Sequence, residues 1–552
     1  MKGGKTWISA PRLLAIGVTG VLLFYIFRQL PLHAVGQSLE HLKPLWFVAA
    51  LVIYGIALGF GGLRSHIAFR LTERSVHATA SCRAFLAGHF FLVVLLGAAQ
   101  GDVAKCAVYA RWYGFGMAEV LAAPPLDRLM GLMGIIVFSL LVAALVLMND
   151  GFAALQKLNL QAPNQWIWIV GVVVVLGVVA LLIWAPKGDA AWKRTVRSFR
   201  SGMLRLFRTP ALALDGITLA VLGQAGLSAS IALCLAAVTH QDLYWGQIAW
   251  TFPAIMMIGA LPFTIAGAGV REAAALALLG LYNVPAGDCV AAALLALVCK
   301  LAWGAVGAVV LWHEEIVFSR ATVHAPAQTI SVVIPVLNEA QSLPETVRRA
   351  RLSPCVCEVI VADGGSQDGT AQVAENLGCR VIVTPPGRGG QLRAGAAQAK
   401  GEVILFLHAD TWLPPHACEA LLNCMRDRAL AAGGFWKVFR DPVPLLLGSK
   451  IKCGIRLLLG RRILGDQGIF VRREMLEAIG GVPDVPLMED FELCRRLRKR
   501  GRLALADATV ITSARRFRKL GVIRTYFRMW WVTWLYRFGV SPRHLKELYE
   551  RE

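Results

Sequence analysis

Before residue 313 the chain repeatedly runs for about 20 residues almost without charge, the length a helix needs to cross a bilayer. Such runs lie at 44–63, 129–148, 166–186, 212–238 and 288–312. A further apolar run, 13–27, stands behind Lys2, Lys5 and Arg12 with no small-residue cleavage site after it. It reads as a signal anchor with the N-terminus inside. These six spans predict a polytopic α-helical membrane domain over residues 1–320. A mean hydropathy of +0.57, with 56% hydrophobic residues, places the chain outside the wholly soluble class.

Two more apolar stretches, 84–99 and 246–284, are interrupted by Gly, Pro or charge. Broken helices are tolerated at membrane depth where they line a cavity, so both are predicted as re-entrant hairpins. Lys and Arg crowd the connections near 64–83, 105–111 and 187–208 and are scarce at 149–164 and 239–245. This asymmetry predicts that both termini and everything after Trp312 lie on the cytoplasmic side of the membrane. Ions inside lipid must be paired or face water. Lys300 lies mid-run and is expected to face the bundle interior and pair with Glu272 or Asp102. Asp102, Lys105, Asp127, Arg128, Arg271 and Glu272 flank the broken stretches. Snorkelling helix-end charges account for those flanking residues equally well. Lys300, Arg271, Glu272, Asp102 and Arg128 are therefore the candidates for touching a lipid or an ion.

The formal net charge of +22 raises nucleic acid as a partner, but Lys and Arg cluster beside the apolar spans and in the last third. That pattern suits anionic headgroups and diphosphates, and no nucleic-acid partner is expected. The twelve cysteines are scattered and read as small buried hydrophobes, not as a disulfide framework or a zinc site.

After a polar linker, 313–328, the pattern changes. Apolar runs at 329–337, 356–362, 379–384 and 403–407 alternate with helical spacing, which predicts a parallel, doubly wound α/β sheet. Each run ends in polar residues: Asn338-Glu339, Asp363-Gly364, the loop Gly387-Arg388-Gly389-Gly390, and His408-Ala409-Asp410. Such ends are where open α/β sheets bind ligands. Taken singly, these residues are also ordinary turn and helix-entry types. Together they suit a nucleotide-sugar. Glu339 and Asp363 can accept from base and ribose, the glycine-rich loop can approach a phosphate, and Asp410 can hold a divalent cation against a diphosphate.

Two resemblances follow. Leu261 to Pro285, LPFTIAGAGVREAAALALLGLYNVP, with Gly101-Asp102 and Leu126-Asp127-Arg128, is similar to the membrane region of the lysylphosphatidylglycerol synthase family. That likeness covers about residues 10–315 and implies a lipid-handling, even lipid-flipping, bundle; aminoacyl transfer is not implied, because the soluble half is another module. The set SVVIPVLNE, VIVADGGSQDGT, GRGGQLRAGAAQAKGEVILFLHADTWLP, GDQGIFVRR and LMEDFELCRRLRKRG resembles the family 2 inverting glycosyltransferases of GT-A fold. Within them it resembles most the bacterial group called selenodomain-associated transferase 2 or arsenosugar-biosynthesis glycosyltransferase. This second likeness covers residues 329–520. It implies that Pro335, Asn338, Glu339, Asp363, Gly364, Arg388, Gln391, His408, Ala409, Asp466 and Gln467 contact the nucleotide-sugar. It further implies that Asp410 holds Mg2+ or Mn2+, and that Asp490, beside Glu489, is the general base.

Two departures qualify the likeness. The usual DxD has a carboxylate where this chain has His408, and an imidazole lends less negative charge to Mg2+. His408 is either a ligand to the metal or a phosphate, or a structural strand-end residue. The acceptor-side Gln-x-x-Arg-Trp motif survives only as Ser513-Ala514-Arg515-Arg516-Phe517, where Arg515 and Arg516 either clamp the diphosphate or form a solvated basic face. In residues 521–552 the stretch Val522 to Phe538, VIRTYFRMWWVTWLYRF, is too charged to span and predicts an interfacial helix, with a core helix as the other reading. The expected function is transfer of a sugar from a UDP- or GDP-sugar to a lipid or lipid-linked acceptor at the cytoplasmic face. The alternatives are a polyprenyl-phosphate acceptor, which needs no base, and a lipid flippase whose soluble half loads or senses the lipid.

Overall fold

The computed structural model describes residues 32–94, 98–150, 190–259, 269–320, 329–440, 446, 448–460 and 462–550. The expected spans 13–27 and 166–186, residues 261–268 of the GVRE stretch and residues 321–328 of the linker lie outside the described residues, while the linker's first half, 313–320, continues the helix Ala286–Arg320. The chain divides into two compact units, Met1–Arg74 with Ala80–Ile316, and Ser75–Thr79 with Val317–Glu552.

Among the described residues of the first unit four helical stretches are long and apolar enough to cross a membrane: Pro44–Leu71, Met117–Leu145, Pro210–Val238 and Ala286–Phe318. Pro44 and Pro210 sit in their helices' first turns, where a missing N–H leaves nothing unsatisfied. Small residues let these helices touch: a Cβ on Gly134 would fall 2.2 Å from that of Ala220, and one on Gly307 would fall 2.2 Å from the Leu86 carbonyl oxygen. The two interrupted stretches are helical in pieces, Ala78–Val94 and Ala98–Tyr113, then Trp245–Ile248, Thr251–Gly259 and Val270–Gly280.

The charges of this unit are paired in a chain. Arg64 Nε donates to Asp127 Oδ1 at 2.7 Å, Lys105 Nζ lies 3.2 Å from Asp127 and 3.3 Å from Asp102, and Arg128 reaches Asp102 at 2.9 Å. Asp102 is thus engaged by Arg128 and Lys105. Glu272 caps its own helix, accepting from Gly269 N–H at 2.5 Å, with Arg271 Nε 3.7 Å away. Lys300, half-buried, lies in the field of Arg271 and Glu272.

The second unit is built on a seven-stranded sheet in the order β3-β2-β1-β4-β6-β5-β7. Its strands are β1 (Ile330–Val336), β2 (Val356–Asp363), β3 (Arg380–Val383), β4 (Val403–Phe406), β5 (Leu430–Phe439), β6 (Ile469–Arg472) and β7 (Arg502–Thr512). Alternate residues feed two cores. Ile330, Val332 and Ile334 pack on one face with Leu343 and Val347 of α1 (Leu343–Ala350), while Val333, Ile404 and Phe406 pack on the other with Leu392 of α2 (Arg388–Ala397) and Leu493 of α3 (Glu489–Leu497). The first four strands are parallel, as expected, but β6 runs antiparallel to both β4 and β5. A short strand buried on both faces is a continuous apolar run whichever way it is paired, so its direction is not written in its composition. Because β1, β2 and β4 run the same way, their C-terminal ends open on one edge of the sheet.

Candidate active site

At that edge the loops after β1 and β2 are laced together. Asn338 adopts a left-handed backbone, φ 57°, which points its N–H at Ser366 Oγ (2.9 Å) while its side-chain oxygen accepts from Gln367 N–H (2.9 Å). Asp363, buried at the end of β2, accepts from both the N–H and the hydroxyl of Ser366, at 2.9 and 2.6 Å. Gly364 packs against the Gln391 side chain, whose amide donates to the Val336 and Ala362 carbonyls at 2.7 and 2.8 Å. Gln391 thus ties β1 to β2 from behind the site. Pro335 lies within β1, and the carbonyl of buried Ala409 accepts from Thr346 Oγ1 at 2.6 Å.

Two groups of acids stand in front of this scaffold. In the first, Arg515, opening α4 (Arg515–Leu520), donates through Nη2 to both carboxylate oxygens of Glu339, at 2.8 and 2.9 Å, and to Asp410 Oδ2 at 3.4 Å. Withdrawal from water, then the like charge of Glu339, pushes the Asp410 carboxyl above its usual range, against the pull of Arg515. Arg440 fixes the backbone here by donating to the Asp410 carbonyl at 3.0 Å, with its guanidinium 3.3 Å from the centre of the Trp412 ring.

The second group gathers at the start of α3. Asp490 accepts from Gly465 N–H at 3.1 Å and from Phe491 N–H at 2.8 Å, and Glu489, buried, receives Arg388 Nη1 at 3.2 Å. Loss of water, then the neighbouring charge of Glu489, pushes Asp490 up to about 7. His408 shares a small cleft with Asp490, Glu489 and Arg388. Gly465 passes so close that a Cβ there would lie 2.7 Å from His408 Nε2. Desolvation, then Arg388, drives that imidazole down to about 3, so it is neutral at ordinary pH. Asp466 is ion-paired with the buried Lys437. Withdrawal from water works to raise the Asp466 carboxyl, but the Lys437 ammonium outweighs it and holds the group below its usual range. Gln467 is buried behind this loop, accepting from Leu464 N–H at 3.2 Å and donating to the Phe435 carbonyl at 3.1 Å.

Asp410, Glu339 and Arg515 are therefore brought together, as are His408, Arg388, Glu489 and Asp490, with Asp466 acting electrostatically on both groups. Gln391 and Gln467 hold strands and loops rather than facing the cleft. The side chain of Arg516 lies outside the described residues. Lys437, Arg440 and Trp412 were missed as functional positions, although a lysine inside the apolar run of β5 was a visible signal. Among the described residues no three His, Cys, Asp or Glu side chains gather around one point, so an all-protein metal cage is not built. A cation of the Mg2+ kind, held by one or two carboxylates and completed by substrate phosphates, does fit at Asp410, because Asp410 and Glu339 already draw the positive charge of Arg515 between them.

Comparison with known proteins places both units. The family model described as lysylphosphatidylglycerol synthase TM region matches residues 12–307. The chain belongs to the lysylphosphatidylglycerol synthase TM region family. This member carries a second module, since the family model for glycosyl transferase family 2 matches residues 331–475, and its fold class is a helical membrane domain followed by an α/β GT-A domain. Among curated relatives, an undecaprenyl-phosphate 4-deoxy-4-formamido-L-arabinose transferase of Pseudomonas paraeruginosa is 36% identical over 111 residues, 18% of this chain and 32% of its own length. The protein of the same name from Salmonella paratyphi B is 29% identical over 164 residues, 27% of this chain and 49% of its own. This family member thus spans between about a third and a half of those relatives. Among solved structures, the mannosyltransferase PcManGT from Pyrobaculum calidifontis, in complex with GDP-Man and Mn2+, is 20% identical with a TM-score of 0.29, covering 42% of this chain and 72% of its own.

Proposed function

We propose that the protein is a membrane-bound inverting glycosyltransferase that moves a sugar from a UDP- or GDP-sugar to a lipid or lipid-linked acceptor at the cytoplasmic face of a bacterial inner membrane. The observation that carries this reading is the contrast at one sheet edge between Asp410, turned toward a cation, and Asp490, pushed up to about 7. A group poised near neutral pH is suited to take a proton from an attacking hydroxyl. As that oxygen bonds to the anomeric carbon from one face, the bond to the diphosphate breaks on the other, and Asp490 receives the hydroxyl proton. On this reading Arg515 and Arg388 offset the charge of the departing diphosphate. A divalent metal held at Asp410 supplies further positive charge to that leaving group.

The relatives named as undecaprenyl-phosphate transferases favour a second form of the same reaction. A lipid phosphate attacks without a base, and Asp490 then positions rather than deprotonates. Incubating the full-length protein in mixed bacterial lipid with radiolabelled UDP- or GDP-sugars tests the proposal. Label entering the lipid phase supports it, and acid-stable product separates a hydroxyl acceptor from a phosphate one. No label in lipid with any donor contradicts it.

A further inference from the structure

After α4 comes the helix α5 (Val522–Arg537), and its two faces differ sharply. Ile523, Phe527, Trp530, Trp534 and, at the cap, Phe538 follow one another at helical spacing and are all exposed, Ile523 by 75% and Phe538 by 71%. Their rings form a ladder: Phe527 and Trp530 are 5.9 Å apart, Trp531 and Trp534 5.6 Å, Trp534 and Phe538 4.3 Å. The other face is buried. Thr525 and Val532 are 3% and 6% exposed.

That inner face rests on both acid groups' supports. Tyr526 packs on Phe517, two residues after Arg515, with ring centres 5.2 Å apart. Val532 packs on Met488, which caps α3 with a left-handed φ of 68° immediately before Glu489 and Asp490, and on Leu545 of α6 (Pro542–Glu550). Tyr536 lies 6.0 Å from the Phe491 ring and donates its hydroxyl to Glu492 at 3.3 Å.

An exposed aromatic ladder needs an occupant, and charge identifies it. From Arg515 to Phe538 the chain carries Arg515, Arg516, Arg518, Lys519, Arg524, Arg528 and Arg537 and no acid. A segment of that kind is drawn to anionic headgroups by each basic residue near the surface, and indole rings settle at headgroup depth. Among the described residues four helices are long and apolar enough to cross a bilayer, so such a surface is always at hand.

We propose that α5 is seated in an anionic bilayer by its aromatic face, and that its inner face thereby holds the Arg515 and Asp490 segments in register, so that the site is assembled at the membrane surface. The seating stands independently of the chemistry, whereas the assembly claim rests on the sugar-transfer reading. To test the seating, the full-length protein and its W530F/W531F/W534F variant are reconstituted in phosphatidylglycerol vesicles with or without phosphatidylcholine brominated near the top of the acyl chains. The emission that the three indoles contribute, taken as the difference between the two proteins, is expected to fall about twofold or more with the brominated lipid. Emission indifferent to brominated lipid overturns the proposal. It does so whether the indoles are open to aqueous acrylamide, and so face water, or shielded from both quenchers, and so face a second copy or another protein. To test the assembly, F527Q/W534Q is compared with the parent protein. Transfer to bilayer acceptor is expected to fall about tenfold, and donor affinity only a few-fold, as Arg515 leaves its register. Unchanged transfer, or donor affinity lost in step with transfer, overturns it. A parent protein that transfers no sugar defeats the proposed function instead, and leaves the quenching result to decide the seating.

Discussion

Glu339 and Asp410 on one side of the sheet edge, and Glu489 and Asp490 on the other, are the same chemical pair in two surroundings. The first pair shares the guanidinium of Arg515, so its charges are offset before any ligand arrives. In the second, Arg388 reaches Glu489, and Asp490 is left with two backbone N–H groups and a like-charged neighbour. On the proposed reading, surroundings rather than residue type divide the work between a cation site and a proton acceptor.

Removing the cation site breaks the comparison most visibly. Asp410→Ala is expected to lower turnover by about 10²-fold or more and to weaken metal-dependent donor binding, because the diphosphate loses its counter-charge before and during the reaction. Titrating donor against the variant with and without Mn2+ checks this. Affinity equal to that of the parent would mean that Asp410 holds no metal.

The second pair yields a pH signature. Asp490 acts as a base only when ionised, so the rate should rise with pH through a midpoint of about 7. Glu489→Gln removes the like charge that raises Asp490. The midpoint should therefore move to lower pH, and a pH–rate profile in saturating donor shows whether it does. A midpoint that stays put would leave desolvation alone to explain the shift.

The smallest effect is expected at the bridge. Arg515→Ala should weaken donor binding a few-fold, since this side chain is largely solvent-exposed and its charge is screened. Adding divalent metal should restore part of that loss, as the metal takes over the cationic role. Isothermal titration at two metal concentrations reads both.

The strand-end residues Asn338, Glu339, Asp363 and Asp410 were legible in the sequence because each ends or follows an apolar run at a turn, whereas Asp490, in the first turn of α3, was legible only through the family resemblance. The first four strands were legible for the same reason. β5, β6 and β7 were not. In β5 the pair Gly433-Gly434 and the charged Lys437 interrupt the strand pattern, although both glycines are buried against side chains of the core, Phe470 and Ile463. The reversed direction of β6 is settled by pairing with β4 and β5, which its four residues cannot announce. Long-range partners were equally hidden. That Lys437 meets Asp466, or that Arg440 holds the Asp410 carbonyl, depends on which strands lie side by side. Gln391 and Gln467 show the converse, since their place in the motif reads as ligand contact while their amides bind strands and loops.

The division of labour between the two pairs is tested most directly by Asp490→Asn, measured for donor affinity and for turnover with saturating acceptor. The account predicts donor affinity nearly equal to that of the parent protein and turnover lower by roughly 10²- to 10⁴-fold, the loss typical of a removed general base. Near-normal turnover would contradict it, and would assign the nucleophile to a lipid phosphate that needs no base.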